Sequence, residues 1–176
     1  MPVPIEIDVW QGEIAELEVD AIIVPANESL FMTNPLAQSV KRRAGESVER
    51  EAVAQSPVAP GSAVVTGGGN LAASHIIHAV AVGHELKQDR EVLASALNTA
   101  FTMAAHLGLT RIAMTPIGVE RGVFSAEEAA GVLAEVLVGR GVRGESLPRS
   151  LVIVVGGPEQ AAAYRSASEA LQAASR

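Results

Sequence analysis

The sequence predicts an α/β layer fold, with a mixed, largely parallel sheet covered by helices on both faces. Three observations carry this. Strand-like and helix-like segments alternate along all 176 residues. Two strand-like runs, DAIIV at 20–24 and LVIVV at 151–155, are continuously apolar, as strands buried on both faces are. The chain is 48% hydrophobic, enough for one domain spanning 1–176 to bury a sizeable core without covalent staples.

Taken in order, Ile5-Glu6-Ile7-Asp8-Val9-Trp10 alternates apolar and polar, the pattern of a half-buried strand. Residues 20–24 form a central strand. Residues 35–54 read as one helix: Leu36, Val40, Ala44 and Val48 recur on one face, while Lys41, Arg42, Arg43, Glu46, Glu49, Arg50 and Glu51 face solvent. SPVAPG at 56–61 is a turn. Residues 62–66 and 75–82 read as strands joined by Gly67-Gly68-Gly69-Asn70. A second long helix covers 89–107, burying Val92, Leu93, Ala96, Leu97, Ala100, Phe101 and Ala104 and stopping at Gly108. A strand at 111–115 leads into a turn at 116–124. Ser125-Ala126-Glu127-Glu128 is a capping box for a third helix that ends near Gly139. The polar, glycine-rich stretch 139–149 reads as a flexible loop. After the strand at 151–155, Gly157-Pro158 opens a final helix, with proline where its missing N–H is tolerated.

Composition narrows the function. The chain has no cysteine, so disulfides, thiolate metal sites and cysteine nucleophiles are excluded, and a reducing compartment fits. A net charge of −7 argues against general nucleic-acid binding or an acidic membrane surface. The start of the chain lacks the pattern of a signal peptide, and no apolar run is long enough to span a bilayer. A soluble cytoplasmic protein is the expectation.

Ligands of open α/β sheets bind beyond the carboxyl ends of the strands. Three turns qualify: 25–34, 67–70 and 116–124. Gly67-Gly68-Gly69-Asn70-Leu71-Ala72 matches the dinucleotide fingerprint in letters, but a strand follows it where that fingerprint requires a helix. His75 and His78 are three apart on a strand and point to opposite faces, so they do not share a metal. His78, flanked by Ile76, Ile77, Ala79 and Val80, reads as a hydrogen-bonded core histidine. Ser29, Ser39 and Ser47 lack a nucleophile elbow. No metal site and no cofactor is expected.

Several segments together resemble the macrodomain family, whose members bind ADP-ribose and in some branches hydrolyse ADP-ribosyl linkages. Gln11-Gly12-Glu13-Ile14 is similar to the family's Q-G-D-I. Asp20-Ala21-Ile22-Ile23-Val24-Pro25-Ala26-Asn27 is similar to D-A-I-V-N-A-A-N. Val65-Thr66-Gly67-Gly68-Gly69-Asn70-Leu71 and Ile76-Ile77-His78-Ala79 resemble V-T-x-x-x-N-L and V-I-H-T/A. Arg121-Gly122-Val123-Phe124 resembles the T-G-I/V-Y/F of the second phosphate loop.

The resemblance implies a three-layer α/β/α fold and a module for ADP-ribose or a related adenine nucleotide, free or carried on a modified protein. It also assigns roles. Glu13 would accept a hydrogen bond from the adenine amino group, with Ile14 beside it. Asn27 would contact the distal ribose. Gly122 and Val123 would donate backbone N–H groups to the diphosphate, and Phe124 would line the distal-ribose pocket. Thr33 and Asn34 in the first loop and Gly118 and Arg121 in the second complete the expected ligand-binding set.

The departures fall mostly in the loops. The first loop, glycine-rich in the family, reads Thr33-Asn34-Pro35-Leu36-Ala37-Gln38 here. Ala37 stands where some hydrolytic branches carry an acid, and Val24 where the family has its first asparagine. Arg121 replaces a serine or threonine in a second loop about one residue short. Proline cannot donate a hydrogen bond, and Asn34 is suited to cap the helix with its own side chain, taking the N–H of Leu36 or Ala37. These changes favour binding without strong catalysis. ADP-ribosyl hydrolysis, or a cleft that has lost ADP-ribose, are the alternatives.

Overall fold

The structure, a computed structural model, describes residues 4–173. Six strands form one sheet: β1 (Glu6–Gln11), β2 (Ala21–Pro25), β3 (Ser62–Gly67), β4 (His75–Val80), β5 (Arg111–Met114) and β6 (Ser150–Val155). Their order is β1-β6-β5-β2-β4-β3. Every pairing is parallel except β3 with β4. The helices are α1 (Pro35–Ala44), α2 (Ser47–Val53), α3 (Arg90–His106), α4 (Ala126–Val142) and α5 (Pro158–Ala173).

The period-2 geometry of the strands sorts side chains into two layers. From β2 and β5, Ala21, Ile23, Ile112 and Met114 pack with Leu93, Leu97 and Phe101 of α3, Leu133 and Leu137 of α4, and Tyr164 of α5. The alternate residues Ile22, Val24 and Ala113 pack on the other face with Ala37, Val40 and Ala44 of α1. This is a three-layer α/β/α arrangement. β2 has helices on both faces, which is why all five of its residues are buried.

Two helix boundaries differ from the sequence pattern, each for a visible reason. The helix expected over 35–54 is split. Gly45 has φ 104° and ψ 164°, a conformation open in practice to glycine alone, and it turns the chain between α1 and α2. The Ala44 carbonyl, freed by that turn, accepts from Asn70 N at 2.9 Å. Further on, α4 runs past Gly139 to Val142 because Arg140 is buried in its last turn. The Arg140 guanidinium donates to Ser146 O at 3.0 and 3.1 Å, Asn98 O at 3.2 Å and Thr102 Oγ1 at 3.0 Å. These bonds tie the glycine-rich stretch after α4 back to α3.

The other starts follow their side chains. Asn34 Oδ1 accepts from Ala37 N at 2.8 Å, with Pro35 opening α1. Asp89 caps α3, and Ser125 with Glu128 forms the capping box of α4. His78 is buried on β4, with Nε2 3.0 Å from Thr66 Oγ1 of β3. No helix among the described residues is long and apolar enough to cross a membrane.

Candidate functional site

β1, β6, β5 and β2 run parallel, so their carboxyl ends share one edge of the sheet. A cleft of about 880 Å³ opens there. Its walls are the segment after β1 (Gly12 to Ala15), the end of β2 (Pro25 to Asn27) and the start of α1 (Thr33 to Leu36). Thr115 and Pro116 follow β5, Val119 to Arg121 lie in the next turn, and Val154 to Gly156 end β6. His84 and Leu86, after β4, close the side nearest β2. Volume and position suit a small-molecule site.

Six of the ten expected ligand-binding residues line this cleft: Glu13, Ile14, Asn27, Thr33, Asn34 and Arg121. Glu13 is exposed, whereas Ile14 is buried against Val24 and Val40. Asn27 is fixed within its own loop. Its Nδ2 donates to Phe31 O at 3.1 Å and its Oδ1 accepts from Ser29 Oγ at 2.9 Å. The Thr33 carbonyl accepts from Gln38 Nε2 at 2.9 Å. Asn34 has its side-chain oxygen committed to the α1 cap.

Gly118, Gly122, Val123 and Phe124 are not among the lining residues, and their amides are used inside the turn. Gly118 N donates to the Glu120 carboxylate at 3.0 and 3.1 Å. Gly122 N donates to Val119 O at 3.0 Å, Val123 N to Glu120 O at 3.2 Å and Phe124 N to Gly118 O at 3.0 Å. Phe124 is 4% exposed and belongs to the core under the turn. Arg121 stands out at the cleft rim in a left-handed conformation, φ 54° and ψ 23°, which a side chain other than glycine holds at a cost.

Among the lining residues outside the set expected from sequence, Glu120 and Thr115 carry distinctive polar groups. Glu120 is half-buried, and burial pushes its carboxyl upward from the ordinary range, against the opposing pull of the Gly118 N–H. Tyr164 of α5 is pushed upward too, by burial first and then by the charge of Glu120. Nothing in a lone glutamate within a turn marks it beforehand. Thr115 had a signal, a hydroxyl at the end of an otherwise apolar strand. It is 6% exposed, and its Oγ1 is buried without a hydrogen-bond partner among the described residues.

An unpaired buried hydroxyl costs about 1–3 kcal/mol, and valine has the same shape without it. Thr115→Val is therefore expected to raise the free energy of unfolding by about 1 kcal/mol in urea titrations. A loss of stability would mean that the hydroxyl has a structural partner.

Among the described residues, no group of three or more His, Asp or Glu is placed to hold a metal ion.

The family described as Macro domain matches residues 23–133. A protein of Aeropyrum pernix is 31% identical over 163 residues, covering 89% of this chain and 80% of its own length. The ADP-ribose glycohydrolase MACROD2 of Xenopus laevis is 32% identical over 130 residues, covering 72% of this chain; the chain spans only 31% of that protein. It also spans less than half, 44–46%, of its mycobacterial relatives. Among solved structures, the Trypanosoma brucei macrodomain in complex with ADP-ribose superposes with a TM-score of 0.82 at 18% identity, covering 93% of this chain and 69% of that one. The family match runs from within β2 to the first half of α4, the elements that supply the Asn27 loop, the α1 start and the Arg121 turn, and the Aeropyrum relative extends it over nearly the whole sequence: the chain belongs to the Macro domain family.

Proposed function

We propose that this macro domain binds ADP-ribose or a closely related adenine nucleotide in the cleft at the strand ends. The observation that carries the reading is the cleft itself. It is continuous from Glu13, two strands from β5, past the start of α1 and Arg121, to Asn27 at the end of β2. An acceptor for an amino group, a cation for a phosphate and a polar loop for a sugar thus lie along one groove. The bound ligand named for the Trypanosoma structure supports the same assignment. The ligand is either the free nucleotide or one carried by an ADP-ribosylated protein.

Titration calorimetry with ADP-ribose, ADP and AMP tests this. Saturable heat with at least one of them at micromolar to sub-millimolar ligand is expected. No heat from any of the three at millimolar concentration would overturn it.

A second reading, hydrolysis of an ADP-ribosyl linkage, is favoured by the activity named for the Xenopus relative. Against it, position 37 is an alanine, buried behind the capped start of α1. The cleft's half-buried carboxylate is Glu120 instead, and groups with raised pKa values are suited to proton transfer. Release of ADP-ribose from a mono-ADP-ribosylated protein, abolished by Asn27→Ala, would establish hydrolysis; no release would close it.

A further inference from the structure

The Asn27 end of the cleft has a wall that no motif in the sequence marks, residues 83–88 between β4 and α3. It presents His84 and Leu86 to the cleft. Side chains hold it at both ends. Glu28, next to Asn27 in the chain, accepts the His84 backbone N–H at 2.9 Å, and the same oxygen lies 3.6 Å from His84 Nε2. At the other end Gln88 Nε2 donates to Val123 O at 3.0 Å, in the turn that carries Arg121. Gly83 makes the first contact possible, since a Cβ there would meet Pro60 Cγ at 2.8 Å and Glu28 Oε2 at 3.4 Å. The segment thus bridges the Asn27 loop and the Arg121 turn. Leu86 is held in it at φ 54°, a disfavoured conformation of the kind that clusters at ligand sites.

Asn27 leaves this end to other groups, because both atoms of its side-chain amide are bonded within its own loop. His84 has hydrogen-bonding capacity to spare. A neutral imidazole has one donor nitrogen and one acceptor. The Glu28 carboxylate draws the proton to Nε2, which leaves Nδ1 an acceptor with no partner among the described residues. An acceptor backed by a carboxylate suits a neutral hydroxyl and repels an anion. Leu86, two residues on, offers apolar surface to the C–H face of a sugar.

We propose that His84 is a specificity-determining residue: with Glu28 behind it, it selects a neutral, hydroxyl-bearing sugar beyond the diphosphate and disfavours a third phosphate there. This rests on the nucleotide reading above, which puts the sugar at Asn27. The preferred ligand class is then a nucleoside diphosphate sugar, ahead of the bare diphosphate and the triphosphate.

The test is calorimetry with AMP, ADP, ATP and ADP-ribose at about pH 8 and one ionic strength. It compares the wild type with His84→Phe, which keeps a ring and removes the acceptor, and with Glu28→Gln, which keeps an oxygen for the His84 N–H and removes the charge. The wild type is expected to bind ADP-ribose about three- to tenfold more tightly than ADP, the worth of one hydrogen bond. In His84→Phe that ratio is expected to fall by about the same factor. In Glu28→Gln the affinity for ATP is expected to rise about threefold relative to ADP. If the phenylalanine variant does not fold, His84→Ala carries the same expectation.

Wild-type protein that binds ADP at least as tightly as ADP-ribose overturns the inference and leaves nucleotide binding standing. So does a ratio that His84→Phe leaves unchanged, including a loss shared equally by both ligands, which would make His84 a structural part of the wall. An unchanged ratio of ATP to ADP in Glu28→Gln overturns the part given to the carboxylate. Wild-type protein that binds none of the four ligands overturns the nucleotide reading, and this inference with it.

Discussion

Lowering the pH from 6.5 to about 4 is expected to cost the native state about 3 kcal/mol through His78 alone. The imidazole lies inside the sheet–helix interface, 1% exposed, and burial pulls its pKa from 6.5 down to about 4. The unfolded chain therefore binds a proton at pH 5 or 6 that the folded chain refuses. His78 makes its full contribution above pH 6.5 and loses it as the pH falls toward 4. Other groups act differently. Glu120, with its pKa raised, favours the fold as it is protonated and partly offsets the loss. Asp20, held low chiefly by the Arg111 N–H at 2.9 Å, withdraws its support only below the ordinary carboxylate range. The isolating variant is His78→Gln, which does not titrate and keeps a polar group near Thr66. Urea unfolding at pH 7, 6, 5 and 4 should show the wild type losing stability much faster than the variant. Parallel curves would mean that His78 is protonated inside the fold or that acid loosens its surroundings first.

That histidine is one of the features legible in the sequence. Its neighbours Ile76, Ile77, Ala79 and Val80 mark a strand buried on both faces, and a polar group there needs a partner. The partner, Thr66 on the antiparallel neighbour, depends on strand pairing, which local pattern does not give. The same division runs through the fold. Apolar periodicity located every strand and the long helices, because burial of one face is a local demand on the sequence. It joined α1 to α2, because the four-residue repeat from Leu36 to Val48 continues across Gly45 while the backbone does not. It stopped α4 early, because three glycines at 139, 141 and 144 read as a loop. Nothing local indicates that Arg140 will find acceptors on α3.

The cleft was legible in outline for a related reason. Two of the three turns singled out at strand ends, 25–34 and 116–124, line it, because parallel pairing gathers those ends at one edge; the third, 67–70, does not, and Glu13 was indicated by the family resemblance alone. The Asn34 cap was also visible, since Asn-Pro is a strong helix start. The hydrogen bonding of the second turn was not. Family resemblance suggested free amides at Gly122 and Val123; here the turn folds onto itself, with carbonyls and the Glu120 carboxylate as acceptors. A resemblance in residue type does not fix which way an amide points.

Arg121→Gly is expected to weaken AMP or ADP-ribose binding by roughly ten- to a hundred-fold, the worth of a charge-assisted hydrogen bond, without destabilising the protein. The argument starts from the backbone. Arg121 holds φ 54°, where a non-glycine residue is disfavoured by about 1–2 kcal/mol. Glycine removes that strain but adds about 0.5–1 kcal/mol of unfolded-state freedom, so unfolding free energy should stay level or rise by up to about 1 kcal/mol. A surface arginine with no role would change neither property for the worse. One that is retained for a ligand should show the opposed pair, equal or greater stability with poorer binding. Arg121→Lys separates charge from geometry. It keeps the strain and one positive charge but loses the planar fork, and is expected to fall between the wild type and the glycine variant in affinity. Calorimetric affinity and urea unfolding on all three proteins decide the matter. Unchanged affinity in Arg121→Gly would make the strained arginine a feature of the turn alone, and phosphate binding would then have to depend on the Leu36 amide at the start of α1.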